Sequence, residues 1–286
     1  MSRRSRLAPA LLSLCLAVHG AAAHAEAQEP QLDVKVGDAT RTYTQAGLLV
    51  RADTETIAVP RDASYHAAMT YRAVPLADLI RGLAFAPDTV LEALASDGFA
   101  AQLPMDLVAN RDPATAVAYV AVEDPAKPWP NMPGKAVGAG PFYLVWIGRK
   151  AGSVRGEQWP YQMAHLEALP SAVKRWPALA VDPALPATDP IRAGQNLFIT
   201  ECLACHQLNH AGSAAIGPDL NLPMNPTEYF QPAALHRYIR DPASVRHWAA
   251  QKMPAFGRDQ LSDREIDLIA AYLGAMSHRK VQGATP

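Results

Sequence analysis

Cys202, Cys205 and His206 stand in the run Cys202-Leu203-Ala204-Cys205-His206, the most chemically specific stretch of this chain. Two thiols two residues apart, with an imidazole directly after the second, form the C-x-x-C-H pattern to which c-type haem is attached. The thiols add to the vinyl groups of the ring, and the tether holds the His206 imidazole against one face of the iron. Two other chemistries use similar residues. Zinc usually takes four protein ligands, and no second Cys pair exists here. A dithiol redox pair opens a helix after a strand, whereas this pair follows a helix-like stretch. One covalent haem c is therefore the expected cofactor.

Helices have to position this run. Asp189 can cap a helix that has Pro190 at its first position, and Ile191, Gly194, Phe198 and Ile199 lie along one stripe leading into Cys202. Leu235, Tyr238 and Ile239 mark a second helix that stops before Pro242. Ser262 and Glu265 form a capping box, flanked by Leu261 and Ile266 as a hydrophobic staple. Ile266, Ile269, Ala270 and Leu273 then recur at helical spacing.

At 286 residues the chain is long enough for two domains, and its 49% hydrophobic content is ordinary for a globular protein. Residues 1–25 read as a secretory signal peptide: Arg3, Arg4 and Arg6 precede a short apolar core, and Ala23-His24-Ala25 is a small-x-small cleavage site. The apolar core is broken by Ser13, His19 and Gly20, so it makes a poor membrane span; Ser2-Arg3-Arg4 leaves both Sec and twin-Arg export open. Cleavage removes three of the 26 Lys and Arg and none of the 27 Asp and Glu, leaving a charge near −4. That balance excludes no acidic or neutral partner but gives no case for nucleic-acid binding. Cleavage also removes Cys15, so no disulfide is expected, and export without disulfides suits a bacterial periplasm. Pro170, Pro177, Pro183, Pro186 and Pro190 crowd a stretch of little periodicity, read as a semi-rigid linker over 171–188. It divides an N-terminal domain, 26–170, from a C-terminal one, 189–286.

Residues from about Pro186 to Ser277 resemble a class I cytochrome c domain, an all-α fold. Gly194 and Phe198 precede the haem motif as that family's first helix does; the resemblance implies that Gly194 allows close approach of the last helix and that Phe198 packs near Tyr272. It implies too that the Pro218 carbonyl of Gly217-Pro218-Asp219-Leu220 accepts the Nδ1–H of His206, a bond that orients a metal-bound imidazole. Gln251-Lys252-Met253-Pro254-Ala255-Phe256 is similar to the family's axial-Met loop, which makes Met253 the expected sixth ligand. Met224 lies closer to His206 in sequence, Met276 reads as packing, and a second His (His210, His236, His247 or His278) is the alternative. Trp248 reads either as a donor to a haem propionate or as simple packing. A thioether favours ferrous iron, and ligands on both axial positions leave no open site for a substrate.

The N-terminal region alternates short apolar stretches with turns. Leu32–Val36, Thr56–Val59, Val90–Ala95, Ala116–Val122 and Phe142–Trp146 read as strands, Pro75–Leu83 as a helix, and Pro125 to Pro133 as a loop. From about Leu32 to Leu169 the chain resembles the molybdopterin-binding domain of the sulfite-oxidase type, a mixed α+β fold. The matching stretches are Tyr71-Arg72-Ala73-Val74-Pro75-Leu76-Ala77-Asp78-Leu79-Ile80, Ala95-Ser96-Asp97-Gly98-Phe99, Gln102-Leu103-Pro104-Met105 and Gly140-Pro141-Phe142-Tyr143-Leu144-Val145-Trp146. That family holds molybdenum through a Cys thiolate, and 26–170 contains no Cys. Either the pterin holds the metal without a thiolate or molybdopterin is absent, and absence is the expectation. His66, His165 and Tyr71 read as ordinary polar residues rather than a residual pocket, and Asp78 and Asp97 as a helix-face charge and a turn residue. The expected whole is an α+β, periplasmic, one-haem electron carrier whose N-terminal domain docks redox partner proteins or binds a ligand. The alternative is an oxidoreductase passing electrons from a molybdopterin-type cofactor to its own haem.

Overall fold

The computed structural model describes residues 29–214 and 216–281; the expected signal peptide and Cys15 lie outside the described residues. Alternating apolar residues build the N-terminal region from nine strands among the described residues: β1 (Gln31–Val36), β2 (Ala39–Thr44), β3 (Glu55–Val59), β4 (Met69–Pro75), β5 (Thr89–Ala95), β6 (Ala100–Pro104), β7 (Val117–Val122), β8 (Phe142–Ile147) and β9 (Met163–Pro170). They form one sheet in the order β2-β1-β9-β5-β6 and a second in the order β3-β4-β7-β8. β1 runs parallel to β9, and the other pairings are antiparallel. β7 and β8 are buried along nearly their whole length, which is why they read as continuous apolar runs rather than as alternation. Short helices α1 (Gln45–Leu49), α2 (Leu76–Leu79) and α3 (Met105–Val108) fill the turns.

Each of the five expected apolar stretches coincides with a strand. The expected helix over Pro75–Leu83 does not form as such. β4 runs through Pro75, paired with β7 from Arg72↔Val122 to Pro75↔Tyr119, and only Leu76–Leu79 is helical. The ladder and the positive φ of +75° at Gly82 take residues from both ends of the periodic stretch, so tertiary pairing overrides local propensity.

The C-terminal region is helical: α4 (Ala172–Arg175), α5 (Pro190–Glu201), α6 (Pro226–Tyr229), α7 (Pro232–Arg240), α8 (Pro242–Val245) and α9 (Asp263–Ser277). The Asp189 side chain accepts from Ile191 N at the start of α5, and the Ser262–Glu265 capping box opens α9. α5 crosses α9 at Gly194, where a Cβ would meet the Leu268 backbone and come within 2.9 Å of Tyr272 Cβ. Phe198 and Tyr272 stack with ring centroids 5.2 Å apart.

The Pro-rich stretch 171–188 is held more firmly than a semi-rigid linker implies. Ala172, Leu179 and Val181 are buried in the same apolar cluster as Phe198, Ile266 and Tyr272. Tyr272 Oη donates to the Leu179 carbonyl at 2.7 Å, and Val181 N donates to Gln195 Oε1 at 3.0 Å. The Arg192 guanidinium donates to the carbonyls of Asp182, Pro183, Leu185 and Pro186. Proline chemistry supplies no periodicity, but its carbonyls remain good acceptors for side chains of α5 and α9.

The sheets and the helices meet through polar contacts. Ala100 N, at the start of β6, donates to the Ala204 carbonyl at 3.0 Å. The Glu92 carboxylate accepts from Ser213 Oγ at 2.9 Å and from Arg175 Nη2 at 2.9 Å. Arg155 reaches from the sheets to donate to the Gln260 carbonyl at 2.9 Å, pairs with Glu265, and lies with Nε 3.4 Å from Glu201 Oε1.

Candidate functional site

α5 delivers Cys202 as its C-terminal cap. A helix C-terminus carries the negative end of the helix dipole and disfavours a thiolate. Burial first, then the charges of Glu201 and Glu157, push the Cys202 thiol up; burial pushes Cys205 up to about 12. Reactive dithiols and zinc ligands need the opposite shift. Both Cys are free of disulfide, and among the described residues no three His, Cys, Asp or Glu side chains cluster as a metal-ligand set.

His206 Nδ1 lies 2.8 Å from the Pro218 carbonyl oxygen, the contact that the resemblance implies. A carbonyl can only accept, so Nδ1 carries the proton and Nε2 keeps its lone pair for a metal. Burial, the largest cause, holds the His206 pKa below its ordinary value and favours the neutral imidazole that ligation requires. Gly217 sits against the ring: a Cβ there would fall 2.5 Å from Nδ1 and 2.9 Å from Nε2.

Buried asparagines, which the sequence reading missed, hold the Pro218 loop in place. Asp219 Oδ1 accepts from the backbone N–H of Asn209, Asn221 and Leu222. Asn221 Nδ2 donates to Asn209 Oδ1 and to the Met276 carbonyl, both at 2.8 Å. Asn225 Nδ2 donates to Asn221 Oδ1 at 2.8 Å and to the Leu273 carbonyl at 2.9 Å. The loop carrying Pro218 is thereby tied to the last turns of α9. Their only sequence signal is three Asn within a turn-rich stretch, a pattern shared with any loop.

Among the candidate sixth ligands, Met253 is half-buried and packs on the apolar cluster that also takes Cys202 and Leu203. Met224 is 52% exposed and Met276 only 1% exposed, within the α9 core. His210, His247 and His278 are exposed, and His236 Nε2 lies 3.8 Å from Asp263 and 3.7 Å from Asp267. The Met253 loop is anchored downstream, where Phe256 N donates to the Arg240 carbonyl at 2.9 Å and Arg240 donates back to the Phe256 carbonyl. Trp248 is 40% exposed.

Residues 191–277 match the family model for cytochrome c. This part of the chain is a cytochrome c domain. No curated protein matches the chain. The domain accounts for a covalently bound haem c and for a role in electron transfer. Cys202, Cys205, the free Nε2 of His206 and the space kept beside the ring by Gly217 fit that group. Among the described residues no helix is long and apolar enough to cross a membrane.

The N-terminal sheets bring no comparable constellation together. Tyr71 lies in β4, where Tyr71 and Tyr143 donate to buried Asp62 at 2.8 and 3.0 Å. His165 lies in the other sheet, with Nδ1 3.5 Å from Asp33, beside an open cleft of about 300 Å³. His66 is exposed in a turn. Asp78 pairs with Arg81 and Arg111, and Asp97 caps its own turn by accepting from Phe99 N.

Two carboxyls lie near the thiols: Glu157, between β8 and β9, and Glu201, the last residue of α5. Burial, then the charge of Glu201, pushes Glu157 up to about 8. Burial pushes Glu201 up to about 7 against the opposing pull of Arg155. A carboxylate formed near the thiols stabilises ferric over ferrous iron. The midpoint potential should therefore fall as pH rises from 6 to 9, by roughly a few tens of mV. Protein-film voltammetry across that range reads it directly. Glu157→Gln should flatten the upper part of the curve, and an unchanged slope in that variant removes Glu157 from the account.

Proposed function

We propose that the chain is an exported, periplasmic one-electron carrier, with His206 and Met253 as the axial ligands of a single haem and with an N-terminal domain of sulfite-oxidase-like fold that acts without molybdopterin. Bound there, haem c supplies exchange between ferrous and ferric iron. His206 is held in one tautomer by Pro218, which strengthens its donation through Nε2. Met253 contributes a neutral thioether that favours the reduced state. With His206 and Met253 both engaged, no position at the metal would be left for a substrate. The observation that carries this reading is a half-buried His206 anchored through Nδ1 to the Pro218 carbonyl, with a half-buried Met253 on the apolar cluster that also takes Cys202 and Leu203.

The absence of any Cys in 26–170 supports a docking or ligand-binding role for the sheets. Intact mass and metal analysis of the protein purified from its native host tests the whole reading. The expected result is a chain beginning at Glu26, one haem, one iron and no molybdenum. Near-stoichiometric molybdenum would replace this reading with an oxidoreductase that feeds its own haem, and a chain still carrying residues 1–25 would remove the export step.

A further inference from the structure

The edge of a ring attached through Cys202 and Cys205 has to lie at those two thiols, and the N-terminal domain sits on that side. β6 makes a backbone hydrogen bond to Ala204 at 3.0 Å, Leu203 is 1% exposed and Ala204 fully buried, and Arg155 clamps the two parts through Gln260, Glu265 and Glu201. A large partner cannot approach there without breaking this contact.

The Met253 side is different. Arg237, Arg246 and Lys252 are exposed, and among the described residues none of them is in an ion pair. Asp241 is the single acid between Arg237 and Arg258, and its carboxylate is engaged in capping α8 through Ala243 N. Arg240 and Arg258 share Asp263 as their ion-pair partner. Trp248 is exposed in the same segment, with the Arg246 guanidinium 5.8 Å from its ring centroid. An exposed Trp beside an unpaired Arg, in a segment 237–252 that carries two further unpaired cations, suits an interface anchor.

We propose that the face formed by Arg237, Arg246, Lys252 and Trp248 is where a partner protein with an acidic surface docks to exchange electrons, because the chain's own N-terminal domain occupies the thioether side. The docking site rests on the electron-carrier reading above, and the test separates the two.

Three probes report on the full-length holoprotein. Hexacyanochromate(III), a redox-inert paramagnetic trianion, should broaden amide signals of 237–252 and leave 97–100 and 135 untouched. Stopped-flow oxidation of the reduced protein by ferricyanide should slow about threefold at low salt in Arg237→Glu and in Arg246→Glu, with the loss fading as salt rises. Oxidation by the cationic tris(phenanthroline)cobalt(III) should quicken in the same variants. Lys135→Glu, which reverses a cation whose charge reaches the Cys205 thiol, should change neither rate. Broadening centred on 97–100 or 135, or a ferricyanide loss in Lys135→Glu equal to that in Arg246→Glu, overturns the docking face. An unaltered potential in Met253→Ala would overturn the ligand assignment while leaving the anion footprint readable.

Discussion

Met253→Ala should yield a holoprotein that keeps its covalent haem but loses the sixth ligand, with a midpoint potential lower on the order of 0.1 V or more, within the ~0.8 V that axial ligation spans. The thioether is the one neutral soft ligand that the packing offers. Met224 points to solvent, and Met276 is enclosed by α9 packing. The reduced variant should also bind carbon monoxide rapidly, because a five-coordinate ferrous iron has an open face. Attachment through Cys202 and Cys205 does not depend on Met253, so haem content should stay at one per chain. Spectroscopy of the reduced variant and film voltammetry decide the matter. A reduced spectrum and potential equal to those of the parent remove Met253 and turn attention to a histidine.

Gly194→Ala should be the most damaging small substitution in the C-terminal region. The added Cβ would press on the Leu268 carbonyl, which belongs to helix backbone and cannot rotate away, and on Tyr272 Cβ at 2.9 Å. α5 and α9 would have to separate, loosening the Phe198–Tyr272 stack. Overpacking of this kind costs about 3 kcal/mol, which corresponds to a fall in Tm of roughly 6–12 °C in a chain of this size. Gly274→Ala, in α9, supplies the contrast: its nearest neighbour is Thr227 Cγ2 at 4.0 Å, so the gain in helix propensity should leave stability equal or slightly higher. Thermal unfolding followed by far-UV circular dichroism compares the two. Equal Tm values for both variants would mean that α5 and α9 are not in the close contact described.

Much of the site was legible because its chemistry is local. Cys202, Cys205 and His206 fall within five consecutive positions, and attachment chemistry dictates their spacing. The Ser262–Glu265 box and the α5 stripe follow from helix geometry alone. The strands could be read where burial is one-sided or complete, as in β1 and β8. β2 was missed because Ala39–Thr44 is a polar edge strand whose only cause is its pairing with β1, and the long α2 was expected because the periodicity of 75–83 is helical while its partner β7 lies far along the chain.

The sequence by itself determined the C-x-x-C-H run of a cytochrome c domain, the helices that frame it and a second, strand-rich region without a Cys. Each of these depends on neighbours within a turn or two. Only the tertiary structure decided how Pro218 is held on His206, through Asn209, Asn221 and Asn225 against the end of α9. It alone decided that 171–188 is packed and tied by hydrogen bonds, and that the sheets cover the thioether side through Ala100, Glu92 and Arg155. Those contacts join polar residues tens of positions apart. Hydrogen bonding between distant groups leaves no periodicity in a sequence, because its geometry exists only once both partners are folded.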